Sequence, residues 1–361
     1  VQSGRDWSRW QEAIAMNRRH TGEIRVKLLT KGAPTFSRDF LLNRFPNKDG
    51  IWGQCQFLFE PDCRKYDWLV VYDDLTCRPG GERTSTRVEE LSCPQRHSLL
   101  VTAEPSSVKV YAPSFVSQFG VVLTSQEPWA LQHSSIVHSQ CGLLWFYGHD
   151  YQQIRDNPPL TKSAEISTVC SSKQQRHTLH HLRYQFTQKL LSRMPELDVF
   201  GHGVRPIDDK RTALDPYRYH LAVENHVCQH HWTEKLADSF LGLALPFYFG
   251  CPNVFDYFPE GSLIPVDIRK FDESQEIIQR TIRDRTWEKK LGAVQEARRR
   301  VIEEYHLFAV LEKLITERHD PSLTDKGAMI RSRRAARNQS LVHMVSHGLQ
   351  VVRTRLWHSW N

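Results

Sequence analysis

Residues 217–268 read YRYHLAVENHVCQHHWTEKLADSFLGLALPFYFGCPNVFDYFPEGSLIPVDI. Apolar runs at 219–223, 244–249 and 263–266 have the length of strands, and segment 232–243 repeats Leu236, Phe240 and Leu243 at helical spacing. The pattern predicts β-loop-α-β-loop-β, the building unit of an open α/β sheet. Polar residues that no buried strand or helix needs gather at the element ends. Glu224 and Asn225 close the first strand; Thr233, Glu234 and Lys235 open the helix. In such sheets ligands bind outside the carboxyl ends of strands, beside helix N-termini whose free N–H groups attract anions. A first-turn lysine opposes the helix macrodipole, so Lys235 suits a phosphate partner better than it suits the helix. Thr233 is read as the helix cap. A nucleotide diphosphate is expected at this place.

Working outward, strand-like runs occur at 24–30 (IRVKLLT), 67–74 (DWLVVYDD), 97–105 (HSLLVTAEP), 120–124 and 143–148 (LLWFYG). They assign an N-terminal α/β domain to 1–155, preceded over 1–19 by a Trp-rich polar arm or helix. Segment 150–163, with Asn157, Pro158 and Pro159, reads as the linker. A second α/β domain over 156–325 is expected to hold a strand at 165–170 and an amphipathic helix at 177–194. A short strand at 197–200 runs into Gly201-His202-Gly203, and a long charged helix covers 286–318. The tail, 326–361, is basic and amphipathic, suited either to an anionic membrane or to packing on its own protein.

The chain has 361 residues, 40% hydrophobic and 25% charged, enough for two cores. A net charge of +7 favours acidic partners: a nucleotide sugar, an anionic membrane surface or nucleic acid. No apolar run approaches the ~20 residues of a membrane-spanning helix. Eight cysteines without a C-x-x-C pair are expected to be mostly reduced and buried. His226, Cys228, His230 and His231 lack a second ligand pair at finger-like spacing, so no metal is expected there. The sequence also contains no D-x-D triplet, no G-x-x-x-x-G-K-[ST], no complete G-x-G-x-x-G and no G-x-S-x-G. Kinase, dehydrogenase and hydrolase readings therefore lose their main support. Lys and Arg, rather than a divalent cation, are expected to neutralise a diphosphate.

Glu224-Asn225, Thr233-Glu234-Lys235-Leu236 at a helix start, the strand end Pro246-Phe247-Tyr248-Phe249-Gly250-Cys251-Pro252 and a closing strand reaching Asp267 together resemble the donor-binding signature of glycosyltransferase family ten, the α-1,3/1,4-fucosyltransferases. The resemblance implies two Rossmann-like α/β lobes in the GT-B architecture, with donor and acceptor in the cleft between them. It implies an inverting transfer of fucose from GDP-fucose to a hydroxyl of a glycan acceptor, with no cofactor beyond the donor. It carries Lys235 to the diphosphate, Glu234 to the ribose or to the charge developing on the sugar, and Glu224 with Asn225 to donor positioning.

Inverting transfer needs a general base for the acceptor hydroxyl, and a carboxylate at a strand end beside the cleft is the simplest one. Glu104 follows Leu99-Leu100-Val101 and precedes Pro105, whose ring biases it toward extended geometry. The family's proposed base is likewise a first-domain Glu, and TAEPSS sits where that residue is expected. Asp73 and Asp74 compete for the role, and a surface or capping glutamate is the bland reading of Glu104.

Two positions depart from the family. Many members have Arg after the glycine at Gly201, where this chain has His202, leaving Arg205 as the nearby cation for the phosphates. His230-His231-Trp232 replaces the usual acidic or glycine residue and tyrosine, leaving His231 as a ring to stack on the purine. Lys173 is a further phosphate candidate or a solvated lysine. Because of these departures, a non-catalytic glycan- or nucleotide-binding protein of the same fold is the alternative function. Nucleic-acid binding rests only on charge and is not expected. A cytoplasmic enzyme resting on a membrane through its tail is the expected setting, and a Golgi lumen enzyme is the alternative.

Overall fold

The computed structural model describes residues 22–31, 36–75, 86–142, 144, 147–175, and 178–360. The arm at 1–19, Cys77, His177 and part of the strand expected at 143–148 lie outside these residues. Of that last run Leu144, Tyr147 and Gly148 are described, and none of them is in a strand.

The first lobe is a seven-stranded sheet in the order β2-β3-β1-β4-β6-β7-β8. Its strands are β1 (Ile24–Thr30), β2 (Ile51–Trp52), β3 (Cys55–Leu58), β4 (Trp68–Tyr72), β6 (Ser98–Val101), β7 (Val121–Thr124) and β8 (Ile136–His138). All pairings are parallel except the β2–β3 hairpin. β4 shows why WLVVY is a central strand. Trp68, Val70 and Tyr72 face one apolar layer while Leu69 and Val71 face another. A parallel strand covered on both faces needs this continuous apolar run rather than polar alternation. β8, which was not among the expected strand-like runs, forms the edge beside β7.

The second lobe is a five-stranded parallel sheet, β10-β9-β11-β12-β13, made by β9 (Ala164–Val169), β10 (Leu197–Phe200), β11 (Tyr217–Val223), β12 (Leu245–Phe249) and β13 (Ile264–Pro265). Helices α1 (His180–Arg193), α2 (Glu234–Leu241), α3 (Phe271–Arg283) and α4 (Thr286–Glu303) complete it. α2 is buried from Leu236 through Leu241, packed against β11, β12 and α4. Two parallel-sheet α/β lobes with their carboxyl strand ends turned to one cleft form the expected GT-B arrangement.

The long charged helix is broken. α4 ends at Glu303, and α5 (Leu307–Arg318) starts anew with His306 as its cap, accepting the Phe308 N–H at 3.3 Å. Polar Glu304, Tyr305 and His306 carry the chain back across to the first lobe. There the fully buried His306 ring stacks on Trp52 at 4.8 Å, and Phe308 packs on Phe45 at 4.1 Å and Phe57 at 4.8 Å. The second domain as delimited, 156–325, thus includes a helix that belongs to the core of the first.

The tail stays with the first lobe. β14 (Met329–Arg331) pairs antiparallel with β5 (Val88–Glu90), which is itself anchored by the buried Lys27–Glu89 ion pair at 2.6 Å. In α6 (Arg333–Arg337), Arg333 donates to the Val110 carbonyl at 2.7 Å. α7 (Leu341–Trp360) buries Thr354, donates from Gln350 to the Ala130 carbonyl and sets Trp357 against Trp129. Leu341, Val342, Val345, Leu349 and Val352 remain exposed. Among the described residues no helix is long and apolar enough to cross a membrane. The seven described cysteines are free, and all but Cys63 are buried.

Phe308→Ala removes a fully buried ring that α5 inserts among Phe45, Phe57 and Phe59 of the first lobe. It is expected to lower unfolding free energy by about 3–5 kcal/mol, measured by urea denaturation; a loss under ~1 kcal/mol would show that the α5 contact does not hold the lobes.

Candidate active site

The cleft contains a cavity of about 340 Å³. Its first-lobe wall comes from the carboxyl ends of β1, β4 and β6: Thr30, Tyr72, Asp73, Glu104 and Pro105. Its second-lobe wall comes from the end of β11 and the start of α2: Glu224, Asn225, His231, Thr233, Glu234 and Lys235. Residues read from two distant stretches of sequence therefore share one space.

The second-lobe wall is built around Glu224. Its side chain has no solvent exposure and accepts the Thr233 N–H at 2.8 Å and the Thr233 hydroxyl at 2.7 Å. Thr233 in turn caps α2, accepting the Lys235 N–H at 3.3 Å. A Cβ at Gly250 would come within 2.5 Å of Glu224 Cγ, so glycine is required where the next strand ends. Lys235 Nζ reaches Thr233 Oγ1 at 3.0 Å, Glu234 Oε1 at 3.1 Å and Glu224 Oε2 at 3.5 Å.

Burial opposes ionisation of Glu234, but the charges of Lys235 and Lys210 outweigh it and hold the carboxyl down at about 2. Burial likewise opposes the Lys235 charge, and Glu234 with Glu224 overcomes it and raises the ammonium pKa. For Glu224 burial prevails over the attraction of Lys235, and its pKa is raised.

On the opposite wall, Glu104 has its pKa raised by burial, against the pull of Lys109. Its carboxylate accepts no hydrogen bond from the described residues, whereas the rival carboxylates are occupied. Asp73, held at φ 72°, binds Lys109 through both oxygens at 2.7 and 2.6 Å and accepts from Tyr111 at 2.7 Å. Asp74 is buried and accepts the N–H groups of Leu75 and Arg333. Glu104 alone of the three is left to receive a proton from a guest.

Three expected donor ligands lie outside the cavity lining. His202 and Arg205 are exposed on the loop after β10, and Lys173 is exposed on the loop after β9. β10 is the edge strand, two positions from β11 and hence roughly 10 Å from it at ordinary strand spacing. Arg205 is engaged there, with its guanidinium 3.1 Å from Asp198 and above the Phe200 ring at 4.4 Å. His231 does line the cavity, but its buried ring is held by the Ser125 hydroxyl at 3.1 Å and packs edge-on against His226. Burial pushes its pKa down to about 3, so it is neutral, and little of its face is open to a stacked base.

Residues 160–283 match the family model described as glycosyltransferase family 10 (fucosyltransferase) C-term. That match lies within the second lobe of the chain. A stretch of 70 residues is 37% identical to an α-(1,4)-fucosyltransferase of Arabidopsis thaliana, covering 19% of this chain and 17% of that protein. The chain thus matches less than a fifth of that relative's length. Similar solved structures include an α1,3-fucosyltransferase with GDP-fucose, at 13% identity over 83% of this chain and 92% of that one, with a TM-score of 0.47. Another is the apo form of the lipopolysaccharide outer core galactosyltransferase WaaB, at 10% identity over 80% of this chain and 100% of that one, with a TM-score of 0.41.

Two residues around this cavity were not singled out from the sequence. Arg183 lies one turn into α1, whose start is tied to the site by the Leu179 N–H donating to the Asn225 carbonyl at 3.2 Å. It is buried, its Nε has no partner among the described residues, and its charge bears on Lys235. A cation one turn inside the N-terminus of a helix facing the cleft is well disposed toward an anion. Its sequence context, an Arg within HHLRYQF, looked like ordinary helix surface. Gln126, buried, donates through Nε2 to the carbonyls of Glu104 at 2.8 Å and Lys109 at 2.9 Å, fixing the loop that carries the candidate base. No motif announces such a strut. Asn225 Oδ1, buried at the cavity wall, also lacks a partner among the described residues.

Because the folded Glu234 pKa lies below its ordinary 4.5, its ionisation stabilises the protein above about 4.5, and that contribution is lost as pH falls toward about 2. The stability difference between the wild type and Glu234→Gln, followed by denaturant midpoint, is expected to shrink across this window. A difference independent of pH would remove the Glu234–Lys235 pair as its source.

Proposed function

We propose that this protein is an inverting glycosyltransferase that moves fucose from GDP-fucose to a hydroxyl of a glycan acceptor, in the manner of an α-1,3-fucosyltransferase. The single observation that carries the reading is that Glu104, from the first lobe, and Lys235, from the second, line one cavity. The family-10 match over the second lobe supports the donor class.

The diphosphate would lie against the start of α2 and the start of α1. There Lys235, Arg183 and backbone N–H groups at the helix ends meet the negative charge that grows as the glycosidic bond breaks. In the free protein Lys235 is shared by Glu224 and Glu234. A bound diphosphate draws the ammonium away from one of them, leaving Glu234 to face the positive charge developing on the sugar. Asn225, with an unpartnered buried oxygen, supplies an acceptor for a donor hydroxyl.

Across the cavity, the acceptor hydroxyl attacks the anomeric carbon from the side opposite the diphosphate, and Glu104 takes its proton. Attack from one lobe with departure toward the other is a single displacement, which inverts the anomeric centre. Burial of Glu104 raises its proton affinity, which suits a base working near neutrality.

Glu104→Gln is expected to lower turnover at least ~100-fold while leaving GDP affinity unchanged, as read by acceptor fucosylation and calorimetry. Wild-type kcat/KM should fall on acidification through a pKa above the ordinary 4.5 of a glutamate. Substantial activity in the variant would dismiss Glu104 as the base, and donor binding without either transfer or donor hydrolysis in the wild type would favour a non-catalytic binding protein.

Lys235→Ala should weaken GDP binding about 10- to 100-fold, the loss of a charge-assisted contact. In a thermal-shift panel of GDP, UDP, CDP and ADP, GDP is expected to raise Tm most. An equal response to all four, or unchanged GDP affinity in the variant, would overturn the donor assignment.

A further inference from the structure

Behind the cavity wall, three elements that are far apart in sequence bring metal-binding groups together. Glu127 comes from the turn after β7 in the first lobe, His226 and Cys228 from the loop between β11 and α2, and His358 from the far end of α7. A carboxylate oxygen of Glu127, a ring nitrogen of His226 and Cys228 Sγ all lie within 4.8 Å of one another. His226 Nε2 is 3.1 Å from Glu127 Oε1. Ser106 Oγ donates to Glu127 Oε2 at 2.6 Å and lies 2.8 Å from His358 Nε2, so the fourth group is one hydroxyl away from the carboxylate. The His226 and His358 rings meet edge to face at 5.4 Å. His226 and Cys228 are buried, and Glu127 is partly so.

We propose that Glu127, His226, Cys228 and His358 form a zinc site that fastens the first lobe, the second lobe and the C-terminal helix together at the back of the cleft. One thiolate, one carboxylate and two neutral imidazoles balance the charge of Zn²⁺ exactly once, and all three ligand types are among those zinc takes in tetrahedral sites. Ligand-to-metal distances of about 2.0–2.3 Å require the first three donor atoms to close from within 4.8 Å of one another and His358, which lies outside that group, to swing past the Ser106 hydroxyl. Ser106 then remains a second-layer donor to Glu127. Such support from outside the ligand set orients metal-bound groups.

Cys228 Sγ is held in place by donating to the Ser125 carbonyl at 3.2 Å, and metal binding would release its proton, since the ligand is the thiolate. No local spacing marks this set. The loop histidines and cysteine lack a neighbouring ligand pair, and the pair is supplied by residues about a hundred positions upstream and more than a hundred downstream.

The site is separate from the donor chemistry proposed above, and its test does not depend on turnover. The full chain, purified reduced and dialysed against zinc-free buffer, is expected to retain about one zinc per chain by mass spectrometry of the metal. Reloaded with Co²⁺ after chelation, it should show a thiolate-to-cobalt charge-transfer band in the near ultraviolet and intense tetrahedral bands in the visible. Cys228→Ser should abolish the charge-transfer band. His358→Ala should keep it and weaken metal affinity about 10-fold or more. Far-ultraviolet circular dichroism and a cooperative thermal transition report whether each variant is folded. Absence of stoichiometric zinc with a six-coordinate cobalt spectrum, or a charge-transfer band that survives Cys228→Ser in folded protein, overturns the proposal.

Discussion

A carboxylate with no access to water holds the second-lobe wall of the cleft together. Glu224 receives both the N–H and the hydroxyl of Thr233 and stands 3.5 Å from the Lys235 ammonium. Taking a charge of this kind out of water costs several kcal/mol unless hydrogen bonds and an opposite charge replace the solvent. Here the replacement is the first turn of α2 itself. The direction of the helix, its cap and the position of Lys235 are therefore one arrangement, and the glycine at Gly250 exists to leave room for it. The same buried pairing gives Glu234 and Lys235 fixed charges before any ligand arrives, which is the preorganisation that electrostatic catalysis requires.

The first-lobe wall solves a different problem. Three carboxylates stand near the cleft, and if all were equally free their mutual repulsion would scatter the proton affinity among them. Lys109 and Tyr111 occupy Asp73, backbone N–H groups occupy Asp74, and Glu104 is left unpaired in a buried setting. Gln126 keeps the backbone of that residue in place without touching its carboxylate. One group is thus set apart by what surrounds its neighbours as much as by its own environment.

Much of this was legible in the chain. The central strands appear in the sequence as continuous apolar runs because both faces of β4, β6 and β7 are covered. The Glu224-to-Lys235 pattern was visible because its polar residues fall at element ends. Elsewhere local pattern and tertiary position part company. His202 and Arg205 sit at a strand end, as phosphate ligands should, but a sequence does not say that their strand lies at the edge of the sheet. Arg183 was invisible because an arginine in a polar helix resembles every other surface arginine. The helix at 286–318 ran through its break because Glu304, Tyr305 and His306 do not oppose helix formation. What stops α4 is the attraction of His306 and Phe308 to aromatic partners in the other lobe, a contact that no window of sequence contains.

That break has a mechanical corollary. The backbone passes between the lobes twice, once through helix Tyr151–Asp156 and once through His306, and the two passages touch. Tyr151 packs on Trp52 at 5.4 Å and edge-on to His306, while the buried Arg298 donates to the Ile154 carbonyl on one side and to the Leu241 carbonyl on the other. Adjacent crossings of this kind act as a seam: shearing or corkscrewing one half past the other would tear open an aromatic cluster, while the contacts of Ser125 and Glu127 with His231 and His226 pin the two halves at a second place.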